Sequence, residues 1–368
     1  MALIKKYVGD FLKRFLTKRN LEFNRVRWYG DETSTIMDVS ENRIGMSDRN
    51  LNCLISFFQK IDPLYEGMEI DDALKIGGGW RRIIEVNMAN LLRAIRTKDW
   101  EKYRHMLENM FRNEVIYGLW NYEYFSGSKN ADRRYLSSLD GFQFITRKSL
   151  NDLFCPKFGN PWGILNDHGH ILMISGDAGY KAFNIKKLIE GVKEPVIVDL
   201  GSGFGADMMQ LAHDCDGPLR IIMCDIPVTL ATAFAQISAH WPENVNLITE
   251  KNQLSKILKK KCERLEFVLC PTLFVQELSE QKIDVLHNHG SLCEMDKETI
   301  DYYLNTLLSK KTAYFIEINS SMPEDWGDFL EIGSHDFPIP VSHKLISSTP
   351  VFMAGRGQRY LQNLYRCD

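Results

Sequence analysis

Five short apolar runs in the second half of the chain constrain its fold more than any other feature. They are Val196-Ile197-Val198, Ile221-Ile222-Met223-Cys224, Phe267-Val268-Leu269-Cys270, Ile283-Asp284-Val285-Leu286 and Tyr314-Phe315-Ile316-Glu317-Ile318. Each is too short to be a helix and apolar at odd and even positions alike, as a strand covered on both faces must be. Gaps of 12 to 42 residues leave room for crossovers between successive runs. A doubly wound, mostly parallel α/β sheet is therefore expected. Two later segments, Ser342 to Met353 and Gln358 to Arg366, are close enough to pair as an antiparallel hairpin across Ala354-Gly355-Arg356-Gly357.

The residues upstream read differently. Ser47 is placed to cap a helix carrying Leu51, Leu54, Ile55 and Phe58 towards Pro63. Ile84, Met88, Leu91, Leu92 and Ile95 fall at helical spacing, and Thr97 is placed to cap a further helix with Trp100, Tyr103, Met106, Leu107 and Met110. The chain thus divides into a helical N-terminal region (1–150), a connector rich in Gly, Pro and Asn (151–194) and an α/β domain (195–368). With 368 residues, 44% hydrophobic, and a net charge of -3, disorder is excluded as the main state. A sequence pI of about 6.3 gives no electrostatic basis for binding nucleic acid. There is no apolar run of about eighteen residues to span a membrane, nor the apolar core of a signal peptide. Eight cysteines, none in a Cys-x-x-Cys pair, read as small core residues in a reducing compartment, which points to the cytoplasm.

The first apolar run leads directly into Asp199-Leu200-Gly201-Ser202-Gly203-Phe204-Gly205, and a helix is expected from Ala206. Glycines let backbone approach a ligand closely, and the helix N-terminus favours polar or anionic groups. With Ala206 the stretch also fits Gly-x-Gly-x-x-Gly/Ala, and Asp225 follows at the distance a dinucleotide fingerprint requires. Asp199 instead suits the cationic amino-acid end of S-adenosylmethionine, and the helical region ahead of the strand argues the same way. Asp225 can accept from two ribose hydroxyls in either case. Three readings stand on these residues: S-adenosylmethionine, NAD, or turn glycines in a ligand-free fold.

Taken together, Asp199 to Gly205 with Asp225 resemble the class I S-adenosylmethionine-dependent methyltransferases. Three further pieces resemble the sugar O-methyltransferases of bacterial polysaccharide clusters: Gly159-Asn160-Pro161-Trp162-Gly163, Asp225-Ile226-Pro227, and Asn288-His289-Gly290-Ser291-Leu292-Cys293-Glu294-Met295. The likeness spans roughly residues 150 to 368. It implies a Rossmann-like, seven-stranded sheet with a reversed last strand. It also implies a cofactor site of Asp199, Gly201, Ser202, Gly203, Gly205, Asp225, Ile226 and Asn288. Asn160, Trp162 and Ser291 would face the acceptor: a sugar, nucleotide sugar or glycan. The stretch Asn246 to Glu263 departs from the family's pattern and reads as an insertion.

The segment after the fourth run lies where α/β sheets place ligands, beyond the carboxyl ends of the strands. Moving a methyl group to a hydroxyl needs a base for its proton; His289 has the right intrinsic chemistry, and Glu294 can act as base or orient it. The pairs His168/His170 and His287/His289 have spacing a metal can use, but lack further ligands at a recognisable distance, so no metal is expected. Gly77-Gly78-Gly79 before Trp80-Arg81-Arg82 reads as a helix connection with solvated arginines, and Trp120 to Phe125 as core aromatics. Residues 1–19 place Leu3, Ile4, Val8, Phe11, Leu12, Phe15 and Leu16 opposite Lys5, Lys6, Lys13 and Arg14. Such a basic amphipathic helix suits either the inner face of an anionic membrane or docking on protein. The expectation is a cytoplasmic sugar O-methyltransferase; the alternatives are an NAD-dependent oxidoreductase and a non-catalytic binding protein of the same fold.

Overall fold

The computed structural model describes residues 44–66, 76–77, 80–81, 83–113, 115–116, 129–161, 163–172, 174–325, 330–351 and 359–368. The basic helix expected over 1–19, the aromatic cluster 120–125, Trp162 and the hairpin turn 354–357 lie outside these residues.

The helical region begins with α1 (Asp48–Glu66), whose Leu51, Leu54, Phe57, Phe58 and Ile61 form one buried stripe. Ser47 caps it, its hydroxyl accepting from the Asn50 amide at 3.2 Å. Next come α2 (Ala89–Arg96) and α3 (Trp100–Glu108). The cap of α3 is Asp99, which accepts from Lys102 N at 3.2 Å, rather than Thr97, which ends α2. α4 (Lys129–Thr146) completes the region. The stretch read as a connector holds a small hairpin, β1 (Ile164–Asn166) with β2 (Gly169–Ile171), and then α5 (Ser175–Leu188).

The α/β part alternates β3 (Val196–Leu200), α6 (Ala206–Asp214), β4 (Leu219–Asp225), α7 (Pro227–His240), β5 (Val245–Leu247), α8 (Lys251–Leu258), β6 (Leu265–Pro271), β7 (Ile283–His289), α9 (Lys297–Leu307) and β8 (Thr312–Ser320). The chain ends in the expected hairpin, β9 (His343–Pro350) and β10 (Tyr360–Cys367). The sheet order is β5-β6-β4-β3-β7-β8-β10-β9. From β5 to β8 the strands are parallel, and β10 enters between β8 and β9 antiparallel to both. The seven strands and the reversed last one are as expected. An eighth, the three-residue β5, is added at the far edge inside the stretch read as an insertion.

Ile197, Val198, Ile221, Ile222, Phe267, Val268, Val285, Leu286 and Phe315 are all fully enclosed. A side chain of this size is worth about 1.5–3 kcal/mol when taken out of water. The helical region packs on this body: Asn50 Nδ2 donates to Ser238 Oγ on α7 at 2.9 Å, and the Phe111 and Phe204 rings meet edge to face at 5.6 Å. Among the described residues no helix is long and apolar enough to cross a membrane.

Candidate functional site

The site forms where the parallel strands end at the point of strand-order reversal, between β3 with β4 on one side and β7 on the other. β3 stops at Leu200, and the chain turns through Gly201 at φ +70°, Gly203 at +57° and Gly205 at +89° before α6 begins. Gly201 N donates to Cys224 O at 2.8 Å, and Gly205 N to Ser202 O at 3.0 Å. A Cβ on Gly201 would stand 1.9 Å from Ser291 Oγ, so both conformation and space require glycine there.

Asp225, at the end of β4, is bound to this turn. Its Oδ2 accepts from Gly203 N at 2.8 Å and its Oδ1 from Ile226 N at 2.7 Å. Ile226, expected at the cofactor, therefore fixes the carboxylate through its backbone and caps α7. Burial pushes the Asp225 carboxyl up to about 7, against the pull of the two amides. Two buried hydroxyls nearby in the chain, Ser202 Oγ in the turn and Thr229 Oγ1 in the first turn of α7, have no hydrogen-bond partner among the described residues. Unpaired buried polar groups are costly; a glycine turn, an oriented carboxylate and orphan hydroxyls fit a polar ligand carrying a diol.

Beside the turn lies an ionic cluster that only partly matches expectation. Asp199 is buried, and His287 Nδ1 donates to its Oδ1 at 2.7 Å. Burial pushes this carboxyl up, and His287 draws it back. Asp199, expected at the cofactor, is thus paired with a protein partner through Oδ1. Lys181, 3% exposed on α5, donates to Asp207 Oδ1 at 3.3 Å and to His289 Nδ1 at 2.8 Å. With that lone pair taken, the neutral imidazole carries its proton on Nε2 and is a donor there. This contact weighs against His289, expected as the base, in that role. His287 Nε2 is buried with no hydrogen bond among the described residues and stands 4.0 Å from Asp207 Oδ2. The two histidines share a face of β7, as their spacing requires, but they converge on Asp207 and Lys181. Among the described residues no group of three or more His, Cys, Asp or Glu is placed to hold a metal.

The residues after β7 divide. Asn288 is fully enclosed; its Nδ2 donates to Leu200 O at 2.7 Å and to Ser291 Oγ at 2.5 Å. Ser291 is buried, with its hydroxyl 3.3 Å from the same carbonyl. Expected at cofactor and acceptor respectively, both bond with their side chains to the carbonyl beneath the glycine turn and hold it. Glu294 ends a short 3₁₀ turn, Leu292–Glu294, and is half-buried. Asn160, expected at the acceptor, has φ +58°; its Nδ2 donates to Asn109 Oδ1 at 3.0 Å, and its carbonyl accepts from Arg112 Nε at 2.9 Å. Asn160 therefore fastens the helical region to the domain.

Lys181, Asp207 and His287 were not singled out as site residues by the sequence. Asp207, two residues beyond Gly205, and His287, paired with His289, were open to detection; Lys181 sits in an unremarked helix and gave no local signal.

No family model matches the chain, and no curated protein does. Solved structures with a similar arrangement include mitomycin 7-O-methyltransferase MmcR, at 13% identity and TM-score 0.32, covering 53% of this chain and 56% of that one. Magnesium protoporphyrin IX methyltransferase from Synechocystis PCC 6803 with bound SAM gives 12%, 0.31, 52% and 80%. The pyocyanin biosynthetic protein PhzM gives 9%, 0.35, 53% and 57%. Likenesses this distant carry no weight for what the chain does.

Proposed function

We propose that the chain transfers a methyl group from S-adenosylmethionine to a hydroxyl of a sugar, in surface polysaccharide biosynthesis. The observation that carries the cofactor is Asp225, held by Gly203 N and Ile226 N at the mouth of a glycine turn whose Ser202 hydroxyl lacks a partner. Asp225 accepts the ribose hydroxyls, and the turn of Gly201, Ser202, Gly203 and Gly205 lies against the cofactor. Asp199 acts through His287 to order the amino-acid end of the site. The bound cofactor supplies an electrophilic methyl group on a sulfonium.

The protein's own work is to position the acceptor hydroxyl in line, exclude water and accept a proton. With His289 Nδ1 occupied by Lys181, Glu294 takes that proton and His289 donates from Nε2 to the acceptor. The helical region, joined through Phe111 and Asn160, covers the site and selects the sugar. The inserted, reversed β10 favours this reading over an NAD-dependent oxidoreductase, whose doubly wound sheet has the order 3-2-1-4-5-6.

Incubation with methyl-labelled S-adenosylmethionine and a panel of sugars, nucleotide sugars and glycans tests the proposal. Label recovered as an alkali-stable sugar ether supports it; label on nitrogen or carbon acceptors alone removes the sugar hydroxyl. Residues 1–19 bring the enzyme to the inner face of the membrane, where anionic liposomes should retain it and high salt should release it.

A further inference from the structure

Glu317 stands at the middle of β8 with no exposed surface, and among the described residues no cation pairs with it. Burial pushes its carboxyl up to about 7, while amides from Asn319 and Asn363 pull it down. A buried carboxyl without a cation is costly to fold around, and none of the chemistry above uses it.

Its hydrogen bonds lead to the glycine turn. Asn319 Nδ2 donates to Glu317 Oε2 at 2.8 Å and to Asn288 Oδ1 at 2.9 Å, while Asn319 Oδ1 accepts from Cys293 N at 3.3 Å. Asn288 Nδ2 donates to Leu200 O, the last carbonyl before Gly201, and to Ser291 Oγ, which fills the space a Gly201 side chain would need. The register places Asn288 opposite Leu200 on one side and Glu317 on the other. Every amide in this chain has one workable direction. Turning Asn319 over would set its oxygen against the carboxylate and its NH₂ against the Cys293 N–H; Asn288 would then have to turn its own oxygen on Leu200 O.

We propose that Glu317 is a positioning residue for the glycine turn: the carboxyl oxygen that accepts from Asn319 fixes the direction of Asn319 and Asn288, and through them the carbonyl from which the turn departs. Its effect on cofactor affinity rests on the S-adenosylmethionine reading; its effect on the turn does not. Asn363 provides a control, because its Nδ2 donates to Glu317 Oε1 while its own Oδ1 is buried with no partner among the described residues. Glu317→Gln keeps an oxygen for Asn319, and the spare Asn363 oxygen can rotate to take the new NH₂. Glu317→Met removes the acceptor.

The test uses the full chain, titrated with S-adenosylhomocysteine by calorimetry and followed by hydrogen exchange at Gly201 to Gly205 without ligand. Glu317→Met should weaken binding about tenfold or more and speed exchange in the turn beyond any change in the centre of β4. Glu317→Gln should stay within about threefold of wild type, with the turn still protected. Wild-type exchange in the turn of Glu317→Met, equal behaviour of the two variants, or a uniform rise across the sheet would overturn the proposal. If Glu317→Met does not fold, Asn319→Ala cuts the same chain one link nearer the turn and is judged by the same exchange criterion. A wild type that ignores S-adenosylhomocysteine defeats the cofactor reading, and exchange alone then decides on Glu317.

Discussion

Lys181 changes what His289 can do. A buried ammonium donating to Nδ1 at 2.8 Å leaves the neutral imidazole no free lone pair for a substrate proton, which is why we propose Glu294 as the base. Glu294→Gln should lower kcat roughly a hundredfold, whereas His289→Ala should mainly raise KM for the acceptor, as loss of a binding contact does. Steady-state kinetics on both variants checks this. If His289→Ala instead carries the hundredfold loss in kcat at unchanged KM, the imidazole is the base and Lys181 must release it during turnover. No local pattern reveals Lys181, since its partners Asp207 and His289 lie 26 and 108 residues away. Asp225 and the three glycines were legible because their chemistry is contained in one strand-turn-helix unit. The hydrogen bonds of Asn288 and Ser291 were not legible for a related reason: sequence gives their identity, but not the carbonyl beneath the turn that their side chains meet.

At the scale of elements, the glycine turn is a strand end held from below. Gly201 faces Ser291 at a separation no Cβ tolerates, whereas a Cβ on Gly203 would meet nothing within 4 Å. Gly203→Ala should therefore cost only the strain of a left-handed residue, about 1–2 kcal/mol. Gly201→Ala must also displace Ser291 and its bond to Asn288, and should cost clearly more. Thermal or urea unfolding of the two variants orders them; an equal loss would mean that Ser291 moves aside freely. The strands buried on both faces were readable because continuous apolar runs of that length have few other uses. β5 was missed because its three residues, Val245, Asn246 and Leu247, carry too short a pattern, and its place at the edge removes the demand for burial on both faces. The cap of α3 was misplaced by two residues, since Thr97 and Asp99 are both good caps and only the helix register selects between them.

Across the whole molecule, two carboxyls held near 7 tie stability to pH. Asp225 ordinarily ionises at 3.8 and Glu317 at 4.5; burial raises both to about 7 in the folded chain. Between those values the folded state keeps protons that the unfolded state has lost. Their contribution to stability is therefore full in acid and lost as pH rises through about 7. For the fully enclosed Glu317 the difference is worth at most about 3 kcal/mol. Glu317→Gln should accordingly be the more stable protein at pH 8, and its advantage should shrink towards pH 5 in denaturant titrations. An advantage independent of pH would mean that Glu317 is not the titrating group. The same proton at Asp225 competes with ribose hydroxyls, which links stability to the central claim, that the turn and this carboxylate hold S-adenosylmethionine. Calorimetric titration of the full chain at pH 8 with S-adenosylhomocysteine, and separately with NAD, tests that claim most directly. The account predicts saturable S-adenosylhomocysteine binding, weakened by roughly 1.5–3 kcal/mol in a folded Asp225→Ala variant, and no saturation by NAD. Tight NAD binding, or S-adenosylhomocysteine affinity undiminished by Asp225→Ala, would contradict it.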